Sequence, residues 1–233
     1  MSEQVNNGFA SGAEGEPNLI PSYADFHAAT AAKMNRKFPK AGRILLIGSG
    51  SGRELEGYAA ANPNWTFVIQ DLNQEDIERR KARAKEAGLG DRVAFNNAGV
   101  VDENLSGMRF EAIVCLFVTH FIKGLVDKER FLSMLLSLLK PHGSLYLADL
   151  LLPDEDDTFQ YNDMAEFAIL RGGLPRDYYY PFIDNLKRSF DSLSYRDYKS
   201  LIQKCGFGVG SSYFKALGFQ AFECVNPASG AEI

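Results

Sequence analysis

The chain has 233 residues, 45% of them hydrophobic and 12% aromatic, which suits one domain with a sizeable core and room for an insertion. A formal net charge of −5 argues against the broad basic face that nucleic acids select and favours small molecules or proteins as partners. No apolar run approaches the roughly 20 residues of a membrane span, no signal-peptide pattern opens the chain, and Cys115, Cys205 and Cys224 have neither zinc spacing nor a disulfide framework. A cytoplasmic protein with buried, reduced thiols is the expectation.

Residues 1–18, MSEQVNNGFASGAEGEPN, are polar, glycine-rich and nearly free of aliphatics, the composition of a disordered tail. From Pro21 the pattern changes. SYADFHAATAAKMNRKF predicts an alanine-rich helix capped by Ser22, with Tyr23 and Phe26 on one face. Next comes an apolar run from Ile44 to Ile47, then Gly48-Ser49-Gly50-Ser51-Gly52. An amphipathic helix with Leu55, Tyr58 and Ala59 follows, and a second apolar run from Trp65 to Ile69 ends at Asp71. Three glycines stand where the chain must turn sharply and let a ligand approach its backbone. Free N–H groups at the helix start favour a negatively charged ligand group, and a carboxylate at the strand tip accepts hydrogen bonds from ribose hydroxyls. The unit predicts an adenosine-like ligand. A dinucleotide fingerprint, G-x-G-x-x-G, would need glycine where Arg53 stands.

Asn73 is a good N-cap for QEDIERRKARAKEAG, with Glu75 and Asp76 in the first turn and helical spacing for Glu75/Arg79 and Asp76/Arg80 pairs. Gly88 suits a C′ stop, and the basic run reads as a solvated face rather than an RNA contact. Arg92 to Asn96 predicts a third strand. Phe110 to Phe117, FEAIVCLF, predicts a fourth, apolar enough to be covered on both faces. From Asp127 to Lys140, apolar residues at 131, 134, 135, 138 and 139 form a helical stripe. Pro141-His142-Gly143 turns the chain into a fifth strand, SLYLADLLL, with His142 a turn residue rather than a catalyst. Alternation through residue 150 implies right-handed β-α-β units in a doubly wound sheet. Residues 151–193 break that rhythm with the acidic run Asp154 to Asp157, two helices around Gly172-Gly173-Leu174-Pro175, and Tyr178-Tyr179-Tyr180. LSYRDYKSLIQKCGF gives a last helix stopped at Gly206. Val209–Phe214 and Phe219–Val225 give a closing antiparallel pair.

The G-x-G-x-G loop between two strand-like runs, with Asp71 about 20 residues beyond it, resembles the first motif of the class I S-adenosylmethionine (SAM)-dependent methyltransferases, hhDhGxGxG. The likeness covers about residues 22–225. The order of β-α units and the terminal hairpin carry it more than any single motif. The family's LkPGG precedes its fifth strand, and His142 replaces the first of those glycines. The stretch from Val114 to Asp156 also looks like the branch containing the carboxy-SAM synthases, although no residue carries their carboxylate-binding chemistry across.

The resemblance implies an α/β fold: a doubly wound, mostly parallel seven-stranded sheet with a C-terminal antiparallel hairpin. It implies one domain over 19–233 with 151–193 a helical cap, SAM as cofactor and a small-molecule acceptor. Methyl transfer from SAM is an in-line displacement from an activated donor, so the protein mainly excludes water and aligns the nucleophile. The implied cofactor residues are Gly48, Ser49, Gly50, Gly52, Asp71, Leu72, Gly99, Val100 and Phe117. His120 is the candidate base, needed only where the acceptor starts protonated, with a purely structural role as its alternative. Tyr23, Phe26 and His27 on the N-terminal helix, and Tyr178 and Tyr179 in the cap, are candidate acceptor residues. No metal is expected, nucleic acid and membranes are disfavoured, and an oligomer is compatible. Two positions where the family carries acids hold Leu46 and Gly99. They favour an alternative, a SAM- or adenosyl-binding protein without turnover. A third reading, an RNA-modifying enzyme, is discouraged by the acidity.

Overall fold

Alternating apolar runs and amphipathic stripes assemble one sheet with helices on both faces. The computed structural model describes residues 20–48, 52–97, 105, 107–153, 158–171 and 174–227. Helix α1 (Tyr23–Lys37) leads into β1 (Gly42–Ile47), α2 (Arg53–Ala61), β2 (Trp65–Gln70), α3 (Gln74–Glu86) and β3 (Val93–Asn96). Then come β4 (Phe110–Leu116), α4 (Leu125–Leu138) and β5 (Leu139–Leu150). After these, α5 (Thr158–Leu170), α6 (Tyr179–Ser189) and α7 (Tyr195–Lys204) precede the hairpin β6 (Gly208–Ala216) and β7 (Phe219–Val225). The strand order is β3-β2-β1-β4-β5-β7-β6. Strands β1 to β5 are parallel, and β7 runs antiparallel to both β5 and β6. This is the expected seven-stranded, mostly parallel architecture. The order reverses at β1, which β2 and β4 flank, so their carboxyl ends form the crevice where such sheets bind ligands.

The pleat divides the core in two. Ile44, Leu46 and Val114 point toward Phe26 and Met34 of α1, Leu55 and Tyr58 of α2, and Ile77 of α3. Leu45, Ile47, Ile113 and Cys115 point the other way, toward Leu132, Leu135 and Leu138 of α4 and Tyr198 and Ile202 of α7. The segment after β5 supplies α5 and α6, whose Tyr161, Met164, Phe182 and Leu186 join the first cluster. Helix α1 is tied to the hairpin by Lys33 and Lys37, each 3.3 Å from Glu223, and by Thr30 Oγ1, 2.9 Å from Tyr213 Oη.

Several local expectations hold. Asn73 caps α3, its Oδ1 accepting from Glu75 N–H at 2.9 Å. Gly88 (φ +68°) closes α3, with Gly88 N–H bonded to Lys85 O and Leu89 N–H to Ala84 O. All three cysteines are buried and free; His142 does take φ +61°, but inside β5, which already begins at Leu139, rather than in a turn ahead of the strand.

Others are corrected. Ser22 does not cap α1 through its hydroxyl. Its backbone is left-handed (φ 53°) rather than extended, and its carbonyl accepts from Phe26 N–H instead. Arg79 pairs with Asp76, and Arg80 with Asp71 at 2.9 Å, because positions 77, 80 and 84 are the buried face of α3 and turn Arg80 inward. The buried stripe of α4 is Lys128, Leu132, Leu135 and Leu138, with Phe131 and Met134 half-buried beside it. Strand β4 stops at Leu116 because Phe117 adopts φ +60°.

Candidate functional site

The glycine positions show why the loop after β1 has its composition. Gly48 has φ +62°, and a Cβ there would lie 2.6 Å from Val118 Cγ2, so a side chain would push apart the ends of β1 and β4. Gly52 (φ +74°) is the N-cap of α2, and a Cβ there would stand 3.0 Å from Arg80 Cγ. Arg80, 1% exposed, therefore backs the loop while its Nη1 donates to Asp71 Oδ2 at 2.9 Å. Asp71 Oδ1 accepts from Asn73 N–H at 2.9 Å. These two donors orient the carboxylate and leave further lone pairs for a ligand hydroxyl. Leu72 is 77% exposed beside it. Phe117 is buried, its ring 5.4 Å from that of Phe26 and 5.5 Å from that of Phe219. Ser49, Gly50, Gly99 and Val100 lie outside the described residues, as does the tail 1–18.

The adjacent carboxyl ends of β4 and β5 carry a buried polar network. After β4 the chain makes a short 3-10 turn, Thr119–Phe121. Lys128 holds that turn: its ammonium, from α4, donates to Thr119 O at 2.9 Å and to Ile122 O. Burial pushes the Lys128 ammonium below its ordinary range, against the opposing pull of Asp191 and Asp149. The turn presents Thr119 and His120 to Asp149 of β5. His120 Nδ1–H donates to Asp149 Oδ1, and Thr119 Oγ1–H to Oδ2. Tyr198 Oη from α7 lies 2.8 Å from Thr119 Oγ1, and Leu150 N–H donates to Asp149 Oδ1 at 2.9 Å. A carboxylate can only accept, so Nδ1 carries a proton, and in the neutral form of the ring Nε2 carries a lone pair. That Nε2 is buried and finds no hydrogen-bond partner among the described residues. The ring is 1% exposed, with Phe121 and Phe190 at 4.4 and 4.2 Å between centroids. An oriented imidazole with one buried, unsatisfied nitrogen is suited to taking a proton from a group placed against it.

The three acceptor candidates on α1 divide between two places. Phe26 is fully buried, its ring 5.4 Å from Phe117 and 4.9 Å from Phe214. Tyr23 and His27 line a cleft of about 690 Å³ between α1 and α2, together with Glu54 and Tyr58. His27 Nδ1 is 2.7 Å from Tyr58 Oη, and burial pushes the imidazole down to about 4. Tyr178 and Tyr179 pack, half-buried, on the core cluster that holds Phe26 and Phe117. The structure thus gathers Phe26, Phe117, Tyr178 and Tyr179 on one cluster and seats His120 against Phe190.

Sequence reasoning missed Asp149, Thr119, Tyr198, Lys128, Arg80 and Glu54. Two of them left a signal. Asp149 is an acid inside an apolar strand, and Lys128 stands at helical spacing from Leu132 and Leu135. Among the described residues, no three His, Cys, Asp or Glu side chains cluster to hold a metal, and no helix is long and apolar enough to cross a membrane.

Residues 45–145 match the family described as a methyltransferase domain. The 27-O-demethylrifamycin SV methyltransferase of Amycolatopsis mediterranei is 29% identical over 110 residues, 47% of this chain and 39% of that protein. The chain spans 28 to 39% of the length of the curated relatives it matches. In solved structures the fold recurs in an O-methyltransferase family protein of Burkholderia thailandensis, with TM-score 0.65 and 15% identity over 88% of this chain and 57% of that one. It recurs also in the N-methyltransferase NodS of Bradyrhizobium japonicum in complex with S-adenosyl-L-homocysteine, with TM-score 0.63 and 10% identity over 97% and 98%.

Proposed function

We propose that this chain, whose residues 45–145 match a methyltransferase domain, is a class I enzyme that transfers the methyl group of SAM to a small-molecule acceptor that reaches the site as a hydroxyl or another protonated nucleophile. The observation that carries this reading is the His120–Asp149 pair. It stands at the end of β4, on the ligand-binding edge of the sheet, with the lone pair of Nε2 unused. SAM supplies the activated methyl group. The loop from Gly48 to Gly52 and the oriented carboxylate of Asp71 hold its adenosine portion, and Gly99 and Val100 stay candidate donor contacts on the sequence resemblance alone. His120 takes the acceptor proton, and Asp149 fixes its tautomer and stabilises the imidazolium that forms. Residues 151–193 serve as the cap, with Tyr178 and Tyr179 forming the acceptor wall together with α1. Three buried thiols suit a reducing compartment, which supports a cytoplasmic location.

The second reading, a donor-binding protein without turnover, is favoured by the near-complete burial of His120 and by Leu46 at a family acid position. One experiment separates the two: a screen of phenols, alcohols, acids and amines for S-adenosylhomocysteine release. Turnover that falls by roughly 10²-fold or more in His120→Ala supports the base role. SAM binding without product from any acceptor class favours the second reading.

A further inference from the structure

Asp149 holds the His120 ring, but the backbone that carries the ring is held by a segment about 70 residues further along the chain. The turn Thr119–Phe121 runs on through Lys123 and Gly124, and the C-terminal end of α6 packs against it. Asp191 N–H donates to His120 O at 2.7 Å, and Gly124 N–H donates back to Asp191 Oδ2 at 2.6 Å. The Lys123 ammonium donates to Ser189 O at 2.9 Å and to Arg188 O at 3.2 Å. Those are two of the last carbonyls of α6, which have no partner within the helix and stand at the negative end of its dipole. Asp191 Oδ1 lies 3.9 Å from the Lys128 ammonium, which itself holds Thr119 O and Ile122 O. Between these polar contacts the rings interlock, with Phe190 at 4.2 Å from His120 and 5.2 Å from Phe121. A base acts only within hydrogen-bond reach of the proton it takes, so the backbone of this turn sets the aim of Nε2. Helix α6 begins at Tyr179, in the proposed acceptor wall, and ends on this turn. One rigid helix therefore connects the wall to the base.

We propose that Asp191 and Lys123 are positioning residues for His120: they clamp the end of α6 to the turn after β4, so that the helix walling the acceptor also aims the base. The proposal rests on the reading of His120 as that base. Asp191 is the stronger member, because its half-buried carboxylate takes a charge-assisted hydrogen bond from a backbone N–H, whereas Lys123 is exposed.

The test is NMR on the full, nitrogen-15-labelled chain. Its three histidines, His27, His120 and His142, can be assigned by substitution, and the quantity read is solvent exchange of the His120 Nδ1–H that Asp149 accepts. Asp191→Ala is expected to speed that exchange by roughly tenfold or more, while backbone amides of β1 and β4 keep their rates within about twofold. Lys123→Met should speed it less, and Asp191→Asn, which keeps an oxygen for Gly124 N–H, should stay near the wild type. Unchanged His120 exchange in both Asp191→Ala and Lys123→Met overturns the proposal. Equal acceleration in β1 and β4 overturns it too, because the clamp would then serve overall stability alone. With an acceptor from the screen, Asp191→Ala should lower kcat by roughly tenfold or more and leave S-adenosylhomocysteine affinity within about twofold. A loss confined to KM overturns the aiming role. If His120→Ala turns over like the wild type, the base reading falls, and the exchange measurement still decides whether the clamp fixes the ring. Should Asp191→Ala fail to fold, Lys123→Met decides: unchanged exchange overturns the proposal.

Discussion

Acid should weaken this fold through His27, and the effect can be isolated. Burial holds the folded imidazole at about 4, against 6.5 for the ordinary side chain. The groups around it, Tyr23, Tyr58 and Glu54, include no cation that would explain the depression by repulsion. The folded state therefore keeps His27 neutral while the unfolded chain takes up a proton below pH 6.5. The contribution to stability is complete above pH 6.5 and is lost as pH falls toward 4. Between pH 7 and pH 5 the linkage amounts to about 2 kcal/mol. Urea unfolding at the two pH values, in wild type and in His27→Gln, measures it. Gln retains an amide that can hydrogen-bond the Tyr58 hydroxyl but does not titrate. Glu111 and Glu223, whose carboxyls are held below their ordinary range, add acid sensitivity to both proteins, so the difference between the two losses belongs to His27. The wild type should lose about 2 kcal/mol more than the variant. Equal losses would refute the assignment of a neutral, buried His27.

Two further substitutions probe the scaffold. Phe26→Ala removes a fully buried ring from contact with Phe117 and Phe214 and should cost about 3–5 kcal/mol in a urea titration, whereas a cost under about 1 kcal/mol would mean that α1 is not anchored there. Lys128→Met leaves the carbonyls of Thr119 and Ile122 without their buried donor and should cost about 1–3 kcal/mol, with the His120 ring resonances shifting by NMR; an undisturbed His120 spectrum would show that the turn does not depend on Lys128.

Much of this molecule is local and could be read from the chain. Runs of Ile, Leu, Val and Phe at β1, β2 and β4, each followed by an amphipathic stripe, specify parallel β-α units, because a strand covered on both faces has little use for polar residues. Gly48, Gly52 and Gly88 mark left-handed turns that other residues strain to make, and Asn73 is a cap whose partner lies two residues away. The wall of the site is another matter. Asp149 and His120 meet because β4 and β5 lie side by side, and Tyr198 arrives from a helix dozens of residues later. Asp71 looked in the sequence like an open ribose acceptor, but packing brought Arg80 to it, because the buried face of α3 left its guanidinium no path to water. Glu75 and Asp76 lost their expected partners for the same reason: helical spacing fixes which side chains are neighbours, and burial decides which way they turn. Spacing along the chain therefore announced the elements and the glycine loop. The buried charges that shape the site were settled only when strands and helices distant in sequence closed around them and excluded water.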